Sequence, residues 1–132
     1  MKITTIVLLG CLACRPLLAA DSARLGTPLF EAIRAGDASY VVVPPAQAAV
    51  LRRAVGDRAN AISWVDAREW YENPTRTIAG YDGILRGLEA GRSAFVIGEV
   101  QFGDDPRSWA EWTRYESALN RVLEHHRARV IC

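Results

Sequence analysis

Short apolar runs alternate with segments of helical period along this chain, and no other feature restricts its fold as strongly. The runs are Ser39 to Val43 (SYVVV), Ala61 to Val65 (AISWV), Ala94 to Val100 (AFVIGEV) and Arg129 to Cys132. Their continuous apolarity and β-branched content suit strands covered on both faces. Strands spaced by helices through short connections form right-handed crossovers and therefore a mainly parallel sheet.

The helical segments carry start and stop signals of their own. Asp21-Ser22 can cap a helix that bears Leu25, Leu29, Phe30 and Ile33 on one side and stops at Gly36. Ala46 to Val55 is a second helix, ended by Gly56. Asn73-Pro74 joins a capping side chain to a proline at the first helical position, ahead of Ile78, Tyr81, Leu85 and Leu88, with Gly91 as the stop. Asp105-Pro106 repeats the device before Trp109, Trp112, Tyr115, Leu119, Val122 and Leu123. The expected fold class is α/β, a three-layer arrangement with helices on both faces of the sheet. Ligands in such sheets sit beyond the carboxyl ends of the strands, so Pro44, Asp66 to Tyr71 and Glu99 to Asp105 mark the edge to examine.

With 132 residues, half of them hydrophobic and 23% charged, the chain can bury one core. A net charge of +1 with dispersed arginines provides no basic stripe for a phosphate backbone, which argues against nucleic acid as a partner. Cys11, Cys14 and Cys132 are an odd set and do not form a disulfide framework. Residues 1–16 are set apart from the domain proper at 17–132. Lys2 and the apolar run Ile3 to Cys14 have the layout of a secretory signal, yet they also read as an extension leading into a buried strand. The run is too short to span a bilayer.

Few residues suggest chemistry. Glu99 interrupts an apolar strand, where an unpaired carboxylate would be costly. It is either a polar anchor at a pocket floor or a strand end reaching water. Glu116 and Asn120 lie one helical turn apart beside Trp112 and Tyr115, as a pocket wall or as the flank of a core-facing helix. Trp70 and Tyr71 fall in the connection after a strand, where they either cover a ligand or plug the sheet. Cys11 and Cys14 have a metal-pair spacing without a strand-helix unit to present them, and His125-His126 point apart, so no metal is expected. Gly87 to Ser93 imitates a phosphate loop, but it has arginine for lysine, is one residue short and leads into a strand. No catalytic residue and no cofactor are expected, and the chain does not read as an enzyme.

Ile97-Gly98-Glu99-Val100-Gln101-Phe102-Gly103, then Trp109 to Asn120 with Tyr115-Glu116 and Leu119-Asn120, then Val130-Ile131-Cys132 resemble the signature of the MEDS sensory-domain family. Trp64-Val65-Asp66, Glu69-Trp70-Tyr71 and Asn73 to Thr77 resemble the branch found in actinobacterial regulators, where the domain often precedes a histidine-kinase-like ATPase of the anti-sigma-factor type. The resemblance implies a fold related to RecA and KaiC ATPases without nucleotide chemistry. It also implies a role in sensing small, possibly hydrocarbon-derived molecules, with an ATPase output domain or protein as partner. Its motif residues are Glu99, Tyr115, Glu116, Asn120 and Cys132. With Trp70, Tyr71, Phe102 and Trp112, all but the cysteine make up the candidate ligand site. Family members continue beyond the terminal cysteine, so the chain reads as a sensor core without its output. The family's first strand falls at Arg15 to Ala20, which a signal cleavage after Ala20 would delete. A cytoplasmic location is therefore expected, with export as the alternative.

Overall fold

The computed structural model describes residues 5–7, 19–100 and 103–131. Five strands form one sheet: β1 (Thr5–Val7), β2 (Ala38–Val43), β3 (Ile62–Asp66), β4 (Ala94–Gly98) and β5 (Ala128–Ile131). Their spatial order is β1-β5-β4-β2-β3, and every neighbouring pair is parallel. Helices α1 (Ala19–Arg34) and α2 (Pro45–Val55) cover one face, and α3 (Ala67–Trp70), α4 (Pro74–Arg86) and α5 (Pro106–Leu123) cover the other. The expected three-layer α/β architecture is therefore what the chain forms.

Each core follows from strand periodicity. Alternate residues point to opposite faces, so Val41 and Val43 meet Leu25, Leu29 and Leu51, while Val42 meets the α3 to α5 layer. In β4, Phe95 and Ile97 face the first layer and Val96 the second. Strand β4 is buried along its whole length, as a central parallel strand must be.

Local details depart from the sequence-based expectations in four places. The first strand is Thr5–Val7, inside the apolar run and paired with β5, whereas Ala19 and Ala20 already belong to α1. Asp21 and Ser22 thus lie within that helix and do not precede it. The connection after β3 contains a one-turn helix, α3, because Asp66 accepts a hydrogen bond from the Arg68 backbone N–H at 2.9 Å and starts a turn at once. Helix α4 stops at Arg86, ahead of Gly91, because the Gly87 N–H closes back on the carbonyls of Gly83 and Ile84 at 3.1 and 3.2 Å. The stretch Gly87 to Ser93 is then a turn that enters β4, with no helix after it to bind phosphate. Among the described residues, no helix is long and apolar enough to cross a membrane.

Candidate functional site

The topology singles out one position along the carboxyl edge of the sheet. Strands β2 and β4 are neighbours, but the chain leaves β2 through Pro44 into α2 on one face and leaves β4 towards α5 on the other. Diverging connections open a crevice between adjacent strand ends, which is where open parallel sheets bind ligands. Glu99 sits at this switch point. Its backbone N–H donates to the Val42 carbonyl at 2.9 Å, which continues the ladder by one bond. Its side chain is half-buried, and burial raises the carboxyl pKa above the ordinary value. A glutamate so placed holds its proton to higher pH than a free one, so the crevice can present either an O–H donor or a carboxylate acceptor.

The residue before it explains what lies beneath. Gly98 is buried, and a β-carbon there would overlap the Tyr71 hydroxyl and meet the Tyr81 hydroxyl at 3.3 Å. Tyr71 and Tyr81 share a hydrogen bond of 2.7 Å between their hydroxyls. Tyr71 also stands edge-on to Trp112 and Tyr115, with ring centroids 5.7 and 6.3 Å apart, and those two rings lie 5.0 Å from each other. Trp70 extends the cluster by an edge contact with Tyr81 at 5.2 Å. The rings tie α3, α4 and α5 together directly under the residue that precedes Glu99.

The expected site residues therefore separate into groups. Tyr71, Trp112 and Tyr115 are 4%, 5% and 2% exposed and belong to the core that supports the crevice. Trp70 is half-buried at the corner between α3 and α4. Glu116 and Asn120 are half-buried on successive turns of α5, along the border of its core-facing side. Phe102 and Cys132 lie outside the described residues.

Three supporting residues escaped the sequence reading. Tyr81 appeared there only as one of several apolar positions at helical spacing, and its hydroxyl partner lies ten residues away. Gly80 lets the Trp70 ring approach so closely that a β-carbon would stand 2.7 Å from Cη2. Thr77 is 1% exposed, and its hydroxyl lies 2.7 Å from the Trp70 carbonyl and 2.9 Å from that of Asn73, which fixes the corner. The polar residues at the edge are occupied with capping. Asp66, Asn73 and Asp105 accept from the N–H groups of Arg68, Arg76 and Ser108. The described residues contain no cluster of three or more metal-ligating side chains.

A parallel sheet with helices on both faces and an acidic residue at its switch point is the arrangement in which open α/β sheets hold ligands at their strand ends. The chain belongs to the MEDS family, the methanogen/methylotroph, DcmR sensory domain, which matches residues 27–132. It is a sensory domain. No curated protein and no solved structure matches it.

Proposed function

We propose that this domain is the input module of a signalling system: it binds a small, mostly apolar molecule at the crevice between β2 and β4 and passes the change to a histidine-kinase-like ATPase, in cis or in trans. The observation that carries the reading is the half-buried Glu99 at the switch point, next to a glycine held against the Tyr71 hydroxyl. In this reading Glu99 orients the polar end of the ligand, and Glu116 and Asn120 contribute from α5. The domain catalyses no reaction and works in the cytoplasm.

A ligand that binds only the folded state stabilises it, by an amount that grows with the logarithm of its concentration above Kd. Thermal-shift titration with small alcohols, halocarbons and carboxylates should therefore find a compound that raises the melting temperature of the wild type and not of Glu99→Gln. If no compound does so, ligand sensing at Glu99 fails.

The close packing of Tyr71, Trp112 and Tyr115 favours one other reading, in which the crevice holds no ligand and the domain is a docking module for its output protein. In that case Glu99→Gln changes neither the thermal-shift profile nor the affinity for the ATPase partner.

A further inference from the structure

The sheet ends on one side at β3, and strand alternation fixes what its outer edge presents. Glu99 donates its backbone N–H to the Val42 carbonyl, and Ala38 donates to the Ser93 carbonyl, both at 2.9 Å. Successive residues of a parallel strand turn their backbone groups to one neighbour and then to the other. Ala38, Tyr40 and Val42 therefore bond towards β4, and Ser39, Val41 and Val43 towards β3. With Val41 in register with Trp64, it is Ser63 and Val65 that bond back to β2. The groups of Ile62, Trp64 and Asp66 face outwards, beyond the last strand. The Ile62 N–H is used locally, on the Ala59 carbonyl of the 3₁₀ turn Gly56–Ala61. What the edge offers is the Ile62 C=O, the N–H and C=O of Trp64, and the Asp66 N–H.

An open strand edge is a template for another strand, and chains commonly blunt one with a lysine, a proline or an inward-pointing charge. The run Ile62-Ser63-Trp64-Val65 carries none of these. Its outward groups are also self-complementary about Trp64. When a two-fold axis lays a second copy antiparallel along the edge, Trp64 exchanges both bonds with the second copy's Trp64, and the Asp66 N–H of each copy meets the Ile62 C=O of the other. Every outward group then has a partner.

The side chains fit the same arrangement. Ile62 and Trp64 lie on the face covered by α1 and α2, and alternation places Asp66 on that face too. Antiparallel pairing carries the second copy's Asp66 to the side of Ile62, next to Arg52. The Arg52 guanidinium lies over the Trp64 ring, 4.4 Å from its centroid, and has no carboxylate partner among the described residues. The Trp64 indole is itself held by the Ala59 carbonyl at 3.0 Å, so the ring that meets its copy across the axis is already fixed. An unrelated extended segment could use the same edge, but this match of donors, acceptors and charge selects a second copy.

We propose that β3 is a dimer interface of this domain: two copies join edge to edge, antiparallel about Trp64, into one continuous sheet. The interface stands apart from the ligand-site reading, since neither Glu99 nor its crevice takes part in it.

Sedimentation equilibrium of the full chain under reducing conditions should show a monomer–dimer equilibrium. Amide hydrogen exchange locates the contact: Trp64 and Asp66 should exchange more slowly in concentrated than in dilute protein, while Ser63 and Val65, bonded to β2, respond far less. Asp66→Pro and Asp66→Ala both lose the carboxylate, but only proline removes the outward N–H, and the Asp66 φ of −74° already suits proline. The proline variant should dimerise about tenfold or more less tightly than the alanine variant, because each dimer loses two hydrogen bonds. Arg52→Gln should weaken the dimer about two- to fivefold, the span of a solvent-exposed ion pair. A chain that stays monomeric at every concentration overturns the proposal. So does a dimer in which Trp64 and Asp66 exchange as fast as in the monomer, because the copies then meet elsewhere. If Asp66→Pro does not fold, the exchange pattern of the wild type decides alone.

Discussion

The Tyr71 hydroxyl rests on the Cα of Gly98, so closely that a β-carbon at that position would overlap it. A one-turn helix and a central strand are thereby locked together at the residue before Glu99. Gly98→Ala should destabilise the domain by about 1–3 kcal/mol, the usual cost of overpacking a filled core. In a Tyr71→Phe background, where the hydroxyl is gone, the same change should cost measurably less. Urea denaturation of the two single variants and the double variant gives this coupling directly. Equal costs in both backgrounds would mean that Gly98 is required for some other reason.

Thr77 holds the opposite side of the same corner. Its buried hydroxyl lies within hydrogen-bond distance of the carbonyls of Trp70 and Asn73, at 2.7 and 2.9 Å. Thr77→Val keeps the shape and removes the donor, so it should cost about 1–2 kcal/mol. Amide hydrogen exchange should also accelerate in 67–73 more than in β4, because the lost bond is local to the corner. Uniform acceleration throughout the chain would show that only global stability had changed.

Asn73 caps α4 through its Oδ1, which accepts the Arg76 N–H at 3.1 Å. Asn73→Ala should cost about 1 kcal/mol, and Asn73→Asp should retain most of the stability, because aspartate caps as well as asparagine. Denaturation midpoints of these two and of Asn73→Ser distinguish a capping role from a packing one, since serine keeps a capping oxygen but not the size of asparagine.

The alternation of apolar runs with capped helices made the sheet, its two helical layers and the carboxyl edge legible before any coordinates. Asn73-Pro74 and Asp105-Pro106 marked helix starts correctly because a cap is a local device, complete within a few residues. Glu99 was legible as an anomaly, a charge within an apolar run. What the sequence withheld is long-range. The pairing of Tyr71 with Tyr81, and of both with Gly98, depends on how α3 and α4 lie across β4, and a tyrosine at helical spacing reads the same whether its hydroxyl meets water or another ring. The position of β1 was misjudged for a related reason: Thr5–Val7 is a strand by virtue of pairing with β5, at the far end of the chain. Trp70 and Tyr71 were expected in an open connection because a four-residue helix is too short to show a period.

Glu99 gives the domain a dependence on pH that can be isolated from its other carboxylates. Burial raises its folded-state pKa above the ordinary 4.5. Between that value and the elevated one, the folded chain binds more protons at this site than the unfolded chain, so stability falls as pH rises through the interval. Below it, the contribution is complete. Asp66, held down by the Arg68 guanidinium, Asp82, by Arg86, and Asp105, by the Ser108 hydroxyl, work in the opposite sense, contributing at neutral pH and losing it on acidification. These three are common to the wild type and to Glu99→Gln, so they cancel in the difference between the two proteins. That difference should be flat in acid and should grow in favour of the glutamine variant as pH rises towards neutrality, because glutamine has no proton to lose. Urea midpoints of both proteins across the mildly acidic range measure it. A difference that does not change with pH would mean that the Glu99 carboxyl ionises as readily in the folded crevice as in water, and the desolvated acid on which the ligand-site reading rests would be lost.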